Sequence, residues 1–407
     1  MKIEMDDIAD LADQQLERMR EQLGAKLRKR GVFLDDRLIS TFVLPYFVPA
    51  TTEDKWARRA EQLLVHVEDV ARAALEDRAL FARLKLDPRA EDLVRVDPGY
   101  RRVVVIARPD SLISPDGPVF LEMNADGPSM AAYADVLTEC LLELPELESL
   151  CDRVSPESRT DRLLDALLEC YREFGAPIWP PTVAITEWLP SVTPFEDPWT
   201  AQRFEARGIP AMVCDPRSFR RSGPQLESNG RPVHLIYRRM PVRELAARRS
   251  EIEPLLSAYR DGLVCIVNPL RAHVASSKTF MAALSERGAT MVAPTVVVDP
   301  ERRGTFDRAS WVLKRAESSA GDHVLLPDVA TAAQWTDALE RAGREVWVAQ
   351  KRCPIPTLDI PRREPMFYNW NPFIYGGRYG GSFVCASESP LINHMKGGMV
   401  MPLWPYR

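Results

Sequence analysis

The sequence predicts an α/β protein assembled from several α+β lobes, and three observations carry that expectation. Short Val- and Ile-rich runs alternate with helical stretches between residues 183 and 270, the pattern of a parallel sheet with Rossmann-like winding. Two apolar runs, RRVVVIARPD and GPVFLEMN, flank the turn-former SPDG and read as a β-hairpin. Ahead of both, apolar residues recur every three or four positions, which marks helix. At 407 residues the chain exceeds one compact core, so two or three domains are expected.

In chain order, Met5, Ile8, Ala12, Leu16, Met19, Leu23 and Leu27 form one stripe of an amphipathic helix. The stripe suits either a dimer seam or the protein's own core, and the core is the preferred reading. A second helix is expected from Thr52 to Leu84, broken near its middle, which makes the segment before residue 95 helical. After the hairpin comes a helix through Ala131–Leu144. Leu163, Leu164, Leu167, Leu168 and Tyr171 then share a helical face that Gly175 can terminate. The alternating portion reads as strand TVAIT, helix WTAQRFEARG, strand IPAMVCD, strand VHLIYRR, helix RELAARRSEIEPLLSAYRDG and strand LVCIVNPL. Helix KTFMAALSERG, strands near Thr295–Val298 and Trp311–Lys314, a helix at 331–343 and strand EVWVAQKR follow. The last forty residues are rich in Gly, Pro and aromatics.

Hydrophobic residues make up 45% and charged residues 27%, the balance of an ordinary folded protein. A net charge of -5 gives no general attraction to nucleic acid. The seven cysteines include no C-x-x-C pair, which fits a reducing cytoplasm better than a disulfide scaffold. The first residues, MKIEMDDIADLADQQLERM, lack the features of a secretory signal, and no run approaches the roughly 18 apolar residues of a membrane span. The expectation is a cytoplasmic protein without membrane or nucleic-acid partners.

Residues two apart on a strand face the same way, so Arg108 with Asp110 and Glu122 with Asn124 converge if the hairpin forms. Two carboxylates and an amide oxygen are a hard donor set suited to Mg2+. An adjacent arginine can neutralise charge developing on a transferred phosphoryl group. In WVLKRAESSAGDHV, a strand ends in Lys314 and a small polar loop follows, containing Ser318, Ser319 and Gly321, whose amides can cradle phosphate. Downstream of Asn268-Pro269, Lys278 opens a helix against the helix dipole and needs a partner, with phosphate an obvious one. In EVWVAQKRCPIP, an apolar strand runs into Gln350, Lys351, Arg352 and Cys353, a form suited to pairing with an adenine edge. In the tail, two Gly-Gly pairs surround Arg378 and a third stands at Gly397-Gly398, marking tight turns or close backbone approach. Asn369, Asn371 and Asn393 are candidate polar contacts there.

Taken in this order, the pieces resemble the glutathionylspermidine synthetase-like, circularly permuted ATP-grasp proteins. In that family an R-x-D…E-x-N-A-D motif precedes the nucleotide-binding lysines, and Arg108, Asp110, Glu122, Asn124, Ala125 and Asp126 match it position by position. The resemblance covers most of residues 95–407. It implies that Asp110, Glu122 and Asn124 hold magnesium and that Arg108 stabilises the transition state. It further implies that Lys278 and Lys314 hold ATP and that Gln350 through Cys353 form the adenine hinge. Ser129 and Arg378 are candidate substrate contacts. Ala386 and Ser387 stand about where the family often places an arginine.

The implied layout is a helical region over 1–94, the metal-binding part of the ATP-grasp C-lobe over 95–150, and a Rossmann-like domain over 151–272. The nucleotide-binding lobe takes 273–349, and the hinge with the rest of the C-lobe takes 350–407. The implied reaction is ATP- and Mg2+-dependent joining of a small acid to an amine through an acyl phosphate, with Asp126 able to take the amine's proton. A kinase built on the same residues and a silent scaffold are the alternatives. A dinucleotide oxidoreductase lacks its G-x-G-x-x-G fingerprint. A homodimer is the default oligomer.

Overall fold

The computed structural model describes residues 13–34, 36–148, 154, 157–191, 193–318, 321–360 and 364–406. Met5, Ile8 and Ala12 lie outside them. Helix α1, Asp13–Lys29, buries Leu16, Met19, Leu23 and Leu27, each at most 3% exposed, in the protein's own core. At roughly 1.5–3 kcal/mol per buried side chain, this stripe is consumed by folding and leaves little to offer a partner. Strands β1, Phe33–Leu34, and β2, Arg37–Leu38, make a short hairpin. Strand β3, Tyr46–Pro49, leads into helix α2, Ala50–Glu76. The helical break falls at Asp77, not near the middle, because its carboxylate caps α3, Arg78–Arg83, by accepting from Ala79 N and Leu80 N. A short helix α4, Glu91–Val94, completes the region.

The expected hairpin forms from β4, Ile106–Ser114, and β5, Gly117–Asn124. Helix α5 covers Ala131–Leu142. Helix α6, Arg159–Phe174, is capped by the Ser158 side chain and stops at Gly175, whose φ of +77° is the left-handed turn glycine tolerates. Strands β6 (Val183–Thr186) and β7 (Ala211–Cys214) flank helix α7, Glu196–Ala206. A small antiparallel sheet that the sequence pattern did not announce follows, from β8 (Phe219–Ser222), β9 (Gln225–Ser228) and β10 (Arg231–Pro232). Strand β11, Leu235–Arg238, helices α8 (Val242–Ala247) and α9 (Glu253–Arg260), and strand β12, Cys265–Val267, close the alternating portion. Its four strands pair in parallel in the order β12-β11-β6-β7.

Helices α10 (His273–Ser276) and α11 (Lys278–Glu286) lead to a four-stranded antiparallel sheet. Its strands are β13 (Thr295–Val297), β14 (Trp311–Arg315), β15 (Val324–Leu325) and β16 (Trp347–Lys351), with helix α12, Ala332–Arg341, against it. Val298, Phe306, Leu313, Trp335 and Trp347 form a separate small core there. The Gly- and aromatic-rich tail is mostly strand: after the short β17, Thr357–Leu358, come β18 (Met366–Tyr375), β19 (Arg378–Ser387) and β20 (Met399–Tyr406). They join the early hairpin in one sheet ordered β3-β20-β19-β18-β4-β5. Trp370 faces α2 through Trp56, while Phe373 and Phe383 enter the core shared with α1, α5 and α6. The two ends of the chain thus build one sheet, and the middle inserts between them. The described cysteines are all unpaired, and no helix of the described residues is long and apolar enough to cross a membrane.

Candidate functional site

The β4–β5 register sets the centre of the site. Arg108 pairs with Asn124 and Asp110 with Glu122, and directly opposed residues share a sheet face. All four side chains therefore meet, with Asn369, Asn371 and Cys385 beside them in the wall of a cleft of about 520 Å³. Asn124 Nδ2 donates to Asp110 Oδ1 at 3.0 Å, which leaves its Oδ1 uncommitted. Arg108 Nη2 stands 3.7 Å from Asp110 Oδ1, while its buried Nε has no protein partner among the described residues.

A register shift follows Asp110: Ser111 pairs with Phe120, so Leu121 is bulged out of the ladder. Its freed carbonyl accepts Lys314 Nζ at 3.3 Å and Gln350 Nε2 at 3.1 Å. The bulge thus ties the antiparallel sheet of β13–β16 to the carboxylate hairpin. Lys278, set at the start of α11 by the Ser277 cap, reaches Glu122 Oε1 at 3.5 Å and donates to Ser318 O at 2.7 Å. The partner that this lysine needed is a carboxylate and a loop carbonyl.

The electrostatics follow from burial. Desolvation raises Asp110, with the Glu122 charge adding to the effect and Arg108 opposing it. Burial also pushes Glu122 up, but Lys278 and Lys314 outweigh it and hold that carboxyl below its ordinary value. Desolvation lowers Lys314, only partly offset by Glu122. These are crowded charges of both signs, and the all-oxygen donor set of Asp110, Glu122 and Asn124 fits a divalent cation with phosphate oxygens.

Other expected residues sort by position. Ser129, Gly321, Gln350, Lys351 and Cys353 line the cleft, and Ser129 O accepts Arg108 Nη1 at 3.1 Å. Lys351 Nζ lies 4.1 Å from the Trp311 ring centroid. Ser318 contributes its carbonyl to Lys278, and Ser319 lies outside the described residues. Arg352 is not part of the cleft wall, because its guanidinium pairs with Asp328 at 2.6 Å. Arg378 is exposed beside the β18–β19 turn, also off the cleft.

Asp126 is not in the cleft wall either. Its carboxylate receives Arg238 Nη1 at 2.6 Å, meets His273 Nδ1 at 2.9 Å and accepts Val242 N at 3.0 Å. Burial alone would raise it, yet Arg238 and His273 hold it well below the usual carboxylate range. A carboxylate so engaged is a poor proton acceptor, which counts against the expected base role. It joins the end of β5 to β11 and α10. Asn268, flagged in the sequence only as a neighbour of the lysine segment, does similar work. Its Oδ1 accepts Val105 N at 3.0 Å and Ile106 N at 2.8 Å, and its Nδ2 donates to Ala125 O at 2.8 Å. Sequence reasoning missed His394, Thr193 and Glu244, all in the cleft wall. Thr193 comes from a loop, His394 from a short turn and Glu244 from the first turn of α8.

No family model matches the chain, and no curated protein matches it. Among solved structures, it is similar to a glutathione synthetase-like effector (GSS30) from Globodera pallida in its apo form, with a TM-score of 0.60 and 10% identity over 98% of this chain and 99% of that one. It also matches a candidate gamma-glutamylcysteine synthetase from Methylobacillus flagellatus KT, with a TM-score of 0.41 and 9% identity over 89% of this chain and 90% of that one. A third match is the ATP-grasp ligase PsnB in complex with a minimal precursor, Mg and ADP, with a TM-score of 0.33 and 14% identity over 55% of this chain and 88% of that one. The likeness to the effector extends over essentially both whole chains and speaks to the fold; the other two are too distant to carry an argument.

Proposed function

We propose that the chain is a circularly permuted ATP-grasp enzyme that joins a carboxylate to an amine with ATP and Mg2+. The observation that carries this reading is the convergence of Arg108, Asp110, Glu122 and Asn124 of the hairpin with Lys314 of β14 in one cleft, where Lys278 from the start of α11 reaches Glu122. The fold shared with a glutathione synthetase-like protein supports it, since glutathione synthesis is itself carboxylate–amine ligation.

In this reading Asp110, Glu122 and Asn124 hold magnesium, Lys278 and Lys314 hold nucleotide phosphates, and Gln350, Lys351 and Cys353 border the base. The magnesium nucleotide, when bound, supplies the phosphoryl group that activates the acid's carboxylate. Arg108, buried at 7% exposure with an unpartnered Nε, offers charge to the reacting oxygens without reorganising. Ser129 borders the acid. The protein's contribution is position and charge. The substrate class is a small amino-acid or peptide-like acid with an amine nucleophile.

The test is ADP release from ATP and Mg2+ across acids and amines, singly and in pairs. Release that needs both partners is expected; release with an acid alone and no amide product would favour a kinase instead. Glu122→Gln and Asn124→Ala should each lower turnover at least about 100-fold with the fold retained. Normal turnover in both would remove the metal assignment.

A further inference from the structure

The third glycine pair of the tail has a geometric cause. Gly397 sits at φ +99°, in the left-handed region. A Cβ on Gly398 would stand 2.7 Å from both Asn393 O and Cys385 Sγ, so glycine lets the chain fold back against β19. Gly398 N donates to Asn393 O at 2.8 Å, and Asn393 Oδ1 accepts Met395 N at 2.7 Å. The short turn His394–Lys396 that results is held from the far side as well. Lys396 Nζ meets Asp322 Oδ1 at 2.7 Å, and Asn393 packs against Gly321 of the phosphate-side loop.

These contacts put His394 in the cleft wall with Arg108, Asn371 and Cys385. Among the described residues nothing hydrogen-bonds its ring. Burial pushes the imidazole down to about 3, with Arg108 and Arg37 adding to the effect, so it is neutral and has a lone pair to offer. In the same wall the Cys385 thiol is pushed up to about 12 by burial and keeps its proton, while Asp110 and Glu122 belong to the proposed metal set. Asp126 is committed to Arg238 and His273.

We propose that His394 is a catalytic residue that accepts the proton of the incoming amine as the amide bond forms. This rests on the ligase reading above. The amine nitrogen attacks the phosphorylated carboxyl carbon and the C–N bond forms. The C–O bond to phosphate breaks and its electron pair leaves on the phosphate. The N–H proton passes to the imidazole and then to solvent. Burial is the larger cause of that suppression and the Arg108 charge the next; an anionic phosphate group lying against Arg108 offsets the second, so the imidazole's proton affinity rises at the stage that uses it. Glu244, also in the cleft wall, is the rival acceptor.

The experiment uses the acid–amine pair that gives ADP with the parent enzyme, and compares amide formation with hydroxamate formation when hydroxylamine replaces the amine. Hydroxylamine is unprotonated at neutral pH and traps the activated acid with little need of a base. His394→Gln and His394→Asn are expected to slow amide formation about 10²–10⁴-fold and to leave hydroxamate formation within about threefold of the parent. Unchanged amide formation overturns the proposal. So does an equal loss of both products, which marks a structural role, or the same split in Glu244→Gln but not in the His394 variants. If the parent itself forms neither product across the panel, the ligase reading fails and takes this proposal with it.

Discussion

Asp126→Asn separates a structural carboxylate from a catalytic one. The substitution preserves volume and can still accept from Val242 N, but it removes the negative charge between Arg238 and His273. The Arg238 side chain is 1% exposed and Asp126 9%, so water cannot take the carboxylate's place. Arg238 keeps carbonyl partners at Asn268 and Met240, yet its charge loses its counterion, and one of its terminal nitrogens already lacks a partner. Breaking a buried pair by removing one member costs about 3–5 kcal/mol. That is a large part of the roughly 5–15 kcal/mol that holds a protein folded. With a denaturant slope of about 2–3 kcal/mol/M in urea, the midpoint should fall by about 1–2.5 M. The assay is urea unfolding at neutral pH followed by tryptophan fluorescence, run beside amide formation in the absence of urea. A variant that unfolds at the parent's midpoint while losing turnover would refute the structural role and return Asp126 to the reacting groups.

Two further outcomes follow from buried charge. Lys314→Met should weaken ATP binding by one to two orders of magnitude in calorimetric titration, with stability unchanged or slightly raised, because burial already disfavours the ammonium form. Unaltered ATP affinity would remove Lys314 from the nucleotide site. Glu187, 8% exposed at the end of β6, is raised to about 7 by burial, with Arg239 opposing the shift. Its folded value lies above the unfolded value of about 4.3, so the folded state binds more protons in that window and stability falls as pH rises from about 4 toward 7. Glu187→Gln should therefore stabilise the protein by something on the order of 1–3 kcal/mol at pH 8, a gain that fades below about pH 4. Equal stability changes at both pH values would contradict the burial argument.

What could be read from the sequence tracks how local each feature is. The carboxylate hairpin was legible because its register is set by one turn, Pro115-Asp116, and by strand alternation within nineteen residues, Ile106–Asn124. The parallel strands were legible for a similar reason, each being a short apolar run bounded by turn residues. The tail was not, because Gly376, Gly377, Gly380 and Gly381 look like loop. Gly376 and Gly377 do make the β18–β19 turn, but Gly380 and Gly381 lie in the sheet and admit other groups: a Cβ on Gly380 would meet the Tyr375 ring at 2.3 Å, and one on Gly381 would meet Arg159 at 2.9 Å. Strand β3 was hidden in a region that reads as helix, since its pairing with β20 joins residues more than 350 positions apart.

The same distinction explains why Asp126 was assigned one role by motif and another by structure. E-x-N-A-D reads as a single chemical unit, but the hairpin ends at Asn124 and the chain turns away from the sheet there. Glu122 and Asn124 stay on the face that meets Lys278 and the cleft. Beyond the turn, Asp126 meets Arg238 from β11 and His273 from α10, elements that begin more than a hundred residues later. Asn268 holds the other side of the same junction by bonding Val105, Ile106 and Ala125 at once. The hairpin that carries the metal-type donors is therefore clamped at its base by the parallel sheet, and the Leu121 bulge presents it to Lys314 and Gln350 of the antiparallel sheet. A cleft assembled this way is as precise as its clamps. Substitutions at Asp126 or Asn268 should accordingly disturb catalysis through position, whereas those at Glu122 or Asn124 act on the charge set itself.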